Sequence, residues 1–343
     1  MNALKVLKIG PAASVQDGGR PGLLDQGVSR GGAADVLALA EGAALLRQDP
    51  GLAALEMGGM GGTFEATAPL RIALTGAPMA ATLDGAALAW NASHRIEAGQ
   101  RLDIGPARRG VYGYLHLGGG IDTEPVLGSR SAHVAAGLGR AVAVGDLLPA
   151  GSDGPAETGL TLAAEDRFQG GELRIVESFQ SALFPPDVRN RFAETEFTRG
   201  SRANRMGVEM LSEGEGFAAA GQLNILSEVI VPGDVQMTGD GKPFVLLREA
   251  QTTGGYPRIG TVLPCDLPKV AQAQAGASIR FRWVSLEEGL QIQDAYDRAL
   301  RALPGDCHPL LRDPADIQDL LSYQLVSGAV SALADPFAIG GDT

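Results

Sequence analysis

The feature that most constrains this chain is a series of short segments in which apolar and polar residues alternate. Clear examples occupy residues 4–9, 70–74, 101–104, 111–117, 173–176 and 278–283. Alternation with a period of two is typical of half-buried antiparallel strands. Glycine and proline separate these segments, and the 343 residues include 48 glycines and 20 prolines, so turns are frequent. The pattern predicts a mostly β fold with few helices.

Local signals predict several turns and helices. Asp84-Gly85 and Asp240-Gly241 lie between alternating segments and predict tight hairpins, since both central residues of such a turn need positive φ. Helices are predicted over residues 33–47, 264–273 and 286–303. Ser285 and Glu288 stand in capping-box register at the start of the last one. Residues 316–333 are interpreted as either one more helix or an appendage.

The two halves of the chain resemble each other weakly. Residues 4–6 match residues 173–175, and Arg20 matches Arg205. A duplicated β-rich domain explains these matches. We therefore predict a first domain over residues 1–165, a second over residues 172–290 and a C-terminal helical extension over residues 291–343.

Charge and residue counts exclude several classes of function. The net charge is −12, and a negative field opposes binding to nucleic acid. No apolar run reaches the ~18 residues of a membrane span, and the first ten residues lack a signal-peptide core. Two cysteines are too few for a disulfide framework, which agrees with a cytoplasmic protein. The four histidines lack metal-ligand spacing, so no metal site is predicted.

The densest polar cluster spans residues 14–22 and continues over residues 27–35. It combines an acid, an amide and a guanidinium with several glycines. Consecutive backbone N–H groups in such a loop can form an anion-binding concavity ahead of a helix. The alternative is a long turn in which Asp17 caps local amides and pairs with Arg20.

Two further clusters carry polar groups. Residues 251–257 read Gln-Thr-Thr-Gly-Gly-Tyr-Pro and lack the Gly-Lys-Ser/Thr of a nucleotide-binding loop. They suit an oxyanion or carboxylate pocket, or else a polar turn. Arg202 and Arg205 can clamp a planar carboxylate or simply be solvated. Ser129, Ser131 and Ser201 lack a Gly-x-Ser-x-Gly elbow, so the sequence does not support a serine-hydrolase triad.

Taken together, these segments resemble the biotin-dependent carboxyltransferase family. The resemblance covers about residues 4–290 and rests on residues 14–22, 27–35, 126–131, 145–149, 204–207, 251–257 and 266–267. The family includes the C subunit of bacterial 5-oxoprolinase, also called allophanate hydrolase subunit 2 or KipA, and half of the urea carboxylase carboxyltransferase domain. Ala34-Asp35 stands where the family usually has Met-Asp, and Glu249 stands where an Asp is common.

The resemblance implies two tandem cyclophilin-like β-barrel domains with a few helices. It also implies one component of an ATP-dependent 5-oxoprolinase complex that converts 5-oxoproline to glutamate and is inactive when isolated. The implied partners are a KipI-like subunit and a LamB/YcsF-like subunit; ATP is used by the complex, and no cofactor is covalently bound. Two alternatives remain: a carboxyltransferase subunit of a urea carboxylase-like biotin enzyme, or a non-enzymatic KipA-like antagonist of a kinase inhibitor.

Each of these reactions needs a clamp for a carboxyl group, donors for developing oxygen charge and a base near the acceptor nitrogen. In our hypothesis Arg20 and Arg205 clamp an anion, and Asp17 or Asp35 is the base or the orienting acid. The predicted catalytic residues are Asp17, Arg20, Asp35 and Gln251, and the predicted substrate-binding residues are Gln16, Arg205, Thr252, Thr253 and Tyr256.

Overall fold

The computed structural model describes residues 2–163, 165–219 and 226–311, and these residues form a mostly β fold, as predicted. The strands before residue 165 are β1 (Ala3–Ile9), β2 (Ser14–Gln16), β3 (Ala54–Gly58), β4 (Gly62–Ala66), β5 (Leu70–Gly76), β6 (Met79–Leu83), β7 (Ala86–Leu88), β8 (Ala92–Ile96), β9 (Arg101–Ala107), β10 (Tyr112–Leu117), β11 (Leu147–Pro149) and β12 (Leu160–Thr161). The later strands are β13 (Gly171–Val176), β14 (Glu196–Ala203), β15 (Gly207–Leu211), β16 (Glu228–Val229), β17 (Asp234–Met237), β18 (Pro243–Leu246), β19 (Thr253–Gly254), β20 (Arg258–Val262), β21 (Ser278–Trp283) and β22 (His308–Pro309). The α-helices are α1 (Val36–Leu46), α2 (Pro186–Glu194), α3 (Leu267–Gln272) and α4 (Leu286–Asp306).

The first half of the chain consists of two sheets that enclose one core. The six-stranded sheet has the order β11-β1-β4-β9-β6-β7, and the seven-stranded sheet has the order β2-β3-β10-β5-β8-β12-β22. Leu4 and Phe64 of one sheet pack with Ile72 and Leu115 of the other. Every residue of β5 is buried, because the core covers one face of this central strand and α1 lies against the other.

The second half contains a closed barrel of seven strands in the order β13-β20-β17-β18-β15-β14-β21. The parallel pairing of β13 with β21 closes it. Four phenylalanines form its aromatic centre, and the rings of Phe192 and Phe281 stack with centroids 4.7 Å apart. The prediction of a mostly β fold is therefore confirmed, but only one of the two predicted barrels is closed. The first half forms open sheets, whose edges include three-residue strands such as β2 and β7. The predicted domain boundaries stay a prediction.

One predicted hairpin has the expected geometry and the other does not. Asp84 and Gly85 have φ of 49° and 86° and join β6 to β7. At the second site Gly241 has a φ of 75°, but Asp240 is not left-handed. That turn is longer than predicted, because the Thr238 N–H donates to the carbonyl of Lys242.

The helices agree with the sequence signals except at their ends. The Asp35 carboxylate accepts from the Ala38 N–H, so α1 begins after this cap rather than at residue 33. Ser285 caps α4 through the Glu288 N–H, as predicted, and the helix continues past Pro304 to Asp306. Helix α2 was not predicted, because Phe192 is its one buried residue and its sequence has no apolar periodicity. The interpretation of residues 316–333 falls outside the described residues.

Helix α4 begins beside the closed barrel and ends against the first half. Its Leu303 packs with Leu45 and Leu46 of α1. Beyond it, β22 pairs with β12 at the edge of the seven-stranded sheet. None of the helices in the described ranges is both long enough and apolar enough to span a membrane.

The last turns of α4 pack against α1 through Leu303. Because Leu303→Ala removes this apolar contact, we expect it to lower the free energy of unfolding by about 1–2 kcal/mol. Leu290→Ala is the matched control on the same helix. The Leu290 side chain is 63% exposed, so its loss should change stability by less than ~0.5 kcal/mol. Urea unfolding curves measure both values, and equal midpoints for the two variants would contradict the docking role of Leu303.

Candidate functional site

Arg205 connects the two halves of the molecule. It lies in the turn between β14 and β15 and forms ion pairs with Glu56 of β3 and with Glu249, whose Oε1 is 2.6 Å from the Arg205 Nε. It also donates to the carbonyl of Gly32. Glu56 is 1% exposed and accepts a second hydrogen bond, 2.6 Å long, from the Tyr114 hydroxyl. Burial acts to lower the pKa of Arg205, but the carboxylates of Glu56 and Glu249 outweigh it and raise the pKa above its usual value.

Asp35 belongs to a second buried ion cluster. Its Oδ2 lies 2.7 Å from Nε of Arg167 and 2.7 Å from Nε2 of Gln272 in α3. Arg167 also binds both carboxylate oxygens of Glu41, at 2.9 and 2.8 Å. Asp35 is fully buried and caps α1, so in the structure it holds several elements together.

Asp17 joins the polar loop of residues 14–22 to the segment around residue 130. Its Oδ1 accepts from the Gly19 N–H and from the hydroxyls of Ser129 and Ser131, and its Oδ2 accepts from the Arg130 N–H. Burial acts to raise the pKa of Asp17, but these hydrogen bonds outweigh it and lower the pKa below its usual value. The geometry matches only part of the alternative: Asp17 caps the local amide of Gly19, but its other donors come from residues 129–131, and no ion pair joins it to Arg20 within the described ranges.

Arg20 is a buried cation with one free donor. Its side chain is 2% exposed, and its Nη2 donates to the carbonyl of Ser131. Its Nη1 is buried and has no hydrogen-bond partner among the described residues. Burial lowers the pKa of Arg20, whereas the negative charges of Asp17 and Glu249 oppose that shift. A buried guanidinium N–H of this kind can receive an anionic ligand.

The second predicted cluster, residues 251–257, lies on the surface of the second half. Thr253 belongs to β19, which pairs with β16, and the carbonyl of Thr252 accepts from the Ile230 N–H. The side chains of Gln251 and Tyr256 are exposed. Backbone pairing therefore fixes the main chain at the threonines and leaves the side chains of Gln251 and Tyr256 exposed.

Gln251 separates two cavities. The larger has a volume of about 550 Å³, and its polar lining includes Tyr256 and Asn204. The smaller, which we call the Arg20 cavity, has a volume of about 220 Å³. It is lined by Arg20, Pro21, Gly22, Leu23, Leu24, Val28, Ser29, Arg30, Ile230, Pro232, Ala250 and Gln251.

The structure thus brings Arg20 and Gln251 to one cavity, and Gln251 and Tyr256 to its neighbour. Asp17 lines neither of these two cavities, and its contacts are with Gly19 and with residues 129–131. Gln16 is 1% exposed; its amide donates to Ser14 Oγ and to the Ala132 carbonyl, and its Oε1 has no partner among the described residues. The catalytic and binding roles of the predicted residues stay predictions.

The sequence analysis did not identify a group of three polar residues beside the Arg20 cavity. Ser29 Oγ lies 2.7 Å from Nε2 of His133. The opposite ring nitrogen of His133, Nδ1, faces Oε2 of Glu249 at 4.0 Å. The three residues lie far apart in the sequence, so no local motif marks them. Within the described ranges, no group of three or more His, Cys, Asp or Glu side chains is placed to hold a metal ion.

Comparison with known families identifies the fold. The family described as "Carboxyltransferase domain, subdomain A and B" matches residues 26–283. The chain belongs to this carboxyltransferase-domain family. The predicted resemblance is confirmed.

Curated relatives of this carboxyltransferase-domain chain include two bacterial proteins, each named as the C subunit of 5-oxoprolinase. The one from Escherichia coli K12 is 33% identical over 309 residues, which are 89% of this chain and 99% of that protein. The one from Haemophilus influenzae is 31% identical over 294 residues, which are 84% of this chain and 94% of that protein. This chain therefore resembles one component of an enzyme complex along nearly the whole length of the relative.

A solved structure has the same fold. The Kluyveromyces lactis urea carboxylase superposes with a TM-score of 0.78 at 23% identity. The match covers 91% of this chain but 31% of the urea carboxylase chain. It supports the fold of the carboxyltransferase domain and nothing further.

If the ion pairs of Arg205 hold the two halves of this carboxyltransferase domain together, Arg205→Ala leaves Glu56 and Glu249 without their counter-ion. We expect it to lower the free energy of unfolding by about 3–5 kcal/mol. Arg202→Ala is the matched control, because the Arg202 side chain is 75% exposed and lies 3.5 Å from Glu209. Its effect should stay below ~1 kcal/mol. Urea unfolding curves measure the stability of both variants. Similar losses of unfolding free energy for both would show that the ion pairs of Arg205 do not hold the two halves together.

Proposed function

We propose that this chain is the C subunit of an ATP-dependent 5-oxoprolinase complex and that its Arg20 cavity holds the carboxylate of 5-oxoproline. The similarity to two proteins that carry this subunit name supports the activity. The single observation that carries the location is the buried Nη1 of Arg20, which has no partner among the described residues.

The chemistry of 5-oxoproline suits this cavity. The 5-oxoproline molecule carries one carboxylate next to a lactam. A site that binds it therefore needs one cationic group for the carboxylate and one group that forms hydrogen bonds with the lactam amide. Arg20 supplies the cation, and the exposed amide of Gln251 lies in the same lining. An amide side chain can donate to the lactam oxygen and accept from the lactam N–H.

Arg30 adds positive charge to the lining of the Arg20 cavity. Arg248 is not in that lining, but its guanidinium is close enough to Arg30 to be affected by its charge. Burial and the nearby charge of Arg30 lower the pKa of Arg248 to about 10. The carboxylate of a bound substrate would relieve this excess positive charge, which favours an anion over a neutral amide.

In this proposal the chain works with a KipI-like subunit and a LamB/YcsF-like subunit, and the closed barrel of its second half is cyclophilin-like. ATP enters only as a substrate of the complex. In this chain Arg20 and Gln251 bind and orient 5-oxoproline, while Asp17 and Arg205 hold the loops that carry them. Isolated, the chain should not consume 5-oxoproline.

The test is reconstitution from the three purified subunits with ATP and 5-oxoproline, with glutamate as the measured product. We expect ATP-dependent glutamate formation by the wild-type mixture. Arg20→Gln should raise KM for 5-oxoproline about 10- to 100-fold, because one charge-assisted hydrogen bond is lost. Arg95→Ala is the control, since Arg95 pairs with Glu97 on the exposed surface of β8 and should not change KM.

Two outcomes would contradict the proposal. Turnover that requires a biotin carrier and is blocked by avidin would replace it with carboxyl transfer. An unchanged KM in a folded Arg20→Gln complex, shown by a wild-type melting temperature, would remove the Arg20 cavity from substrate binding.

A further inference from the structure

Ser29 and His133 have the mutual geometry of a nucleophile and its base, and the Glu249 carboxylate faces the opposite side of the imidazole without a hydrogen bond to it. Ser29 lies in the loop before α1, His133 in the long connection after β10, and Glu249 just after β18. The 2.7 Å distance from Ser29 Oγ to His133 Nε2 is a normal hydrogen bond. Glu249 Oε2 lies 4.0 Å from His133 Nδ1, on the side of the ring away from Ser29.

The charges around His133 favour the tautomer that a base needs. The Glu249 carboxylate attracts a proton on Nδ1, so Nε2 is left to accept the Ser29 hydroxyl proton. Burial lowers the pKa of His133; Glu249 opposes this shift, while Arg20 and Arg205 add to it. The imidazole is therefore neutral at neutral pH and can accept a proton.

Ser29 also lines the Arg20 cavity, together with Arg20. A Cβ added to Gly31 would lie 3.3 Å from Arg20 Nη1 and 3.6 Å from Cδ2 of His133. The guanidinium and the imidazole thus flank one small region, next to the serine hydroxyl. A free N–H of Arg20 in that region can stabilise negative charge on a ligand.

We propose that Ser29 is a nucleophile that accepts the acyl group of a small ester or amide, with His133 as its general base. The Ser29 Oγ bonds to the carbonyl carbon while its proton moves to His133 Nε2. The bond from that carbon to the leaving group then breaks, and the leaving alcohol or amine takes the proton from His133. Water later attacks the acyl-serine by the same route and releases the acid. Glu249 is a positioning residue that acts through His133.

This inference goes beyond the proposed function and rests on it only for the natural acyl group, which would be that of the 5-oxoproline lactam after its ATP-dependent activation in the complex. The nucleophile itself is testable on the isolated full-length chain with a reagent that needs neither ATP nor partners. A failure of the reconstituted 5-oxoprolinase and a failure of Ser29 reactivity are therefore separate results.

The probe is diisopropyl fluorophosphate, which transfers its phosphoryl group to an activated serine and releases fluoride. We expect peptide mass spectrometry to find the adduct on Ser29 and not on the exposed Ser212, which is the internal control. Ser29→Ala should abolish the adduct. His133→Gln should slow its formation about 100-fold or more, the usual contribution of a general base. Melting temperatures show that each variant is folded.

Glu249→Gln tests the positioning role. Glu249, Arg20 and Arg205 are the charged groups that face the imidazole within the described ranges, so removing the negative one should move the acid limb of the labelling rate to lower pH. The inference would be overturned if wild-type Ser29 were labelled no faster than Ser212, or if His133→Gln were labelled at the wild-type rate. An acid limb at the same pH in Glu249→Gln as in the wild type would overturn the positioning role of Glu249.

Discussion

The ion pairs of Arg205 with Glu56 and Glu249 are the interaction on which the rest of the structure depends. They bring a turn of the closed barrel into the first half and fix where residues after β18 lie. Glu249 pairs with Arg205 through Oε1 and faces His133 through Oε2. One carboxylate therefore contacts both the arginine that joins the two halves and the histidine beside the Arg20 cavity. The geometry of the Arg20 cavity therefore follows from how the two halves meet.

Buried charges of this kind cost free energy unless each is paired, and the structure pairs most of them. Arg167 meets Asp35 and Glu41 in the same way as Arg205 meets its two carboxylates. Arg20 differs, because its Nη1 has no partner among the described residues. In our proposal, this unpartnered N–H is the place where a chain with a net charge of −12 binds a small anion.

The sequence predicted the features that depend on neighbouring residues. Alternation predicted the strands, Asp84-Gly85 predicted a hairpin, and Ser285 predicted the start of α4. Helix α2 was missed because its face is almost entirely polar, and the open sheets of the first half depend on pairing between distant strands. The group of Ser29, His133 and Glu249 could not be predicted, because its members meet only after both halves have folded and docked. Arg20 and Gln251 were found through their loops, but the sequence could not show that they share a cavity.

The most direct test is a crystal structure of the chain grown with 5-oxoproline. We predict that the carboxylate lies within hydrogen-bond distance of Arg20 Nη1, with the lactam against Gln251 and close to Ser29 Oγ. A 5-oxoproline molecule bound on the Tyr256 side of Gln251, in the larger cavity, with Arg20 Nη1 still unpartnered, would contradict the assignment of the Arg20 cavity as the substrate site.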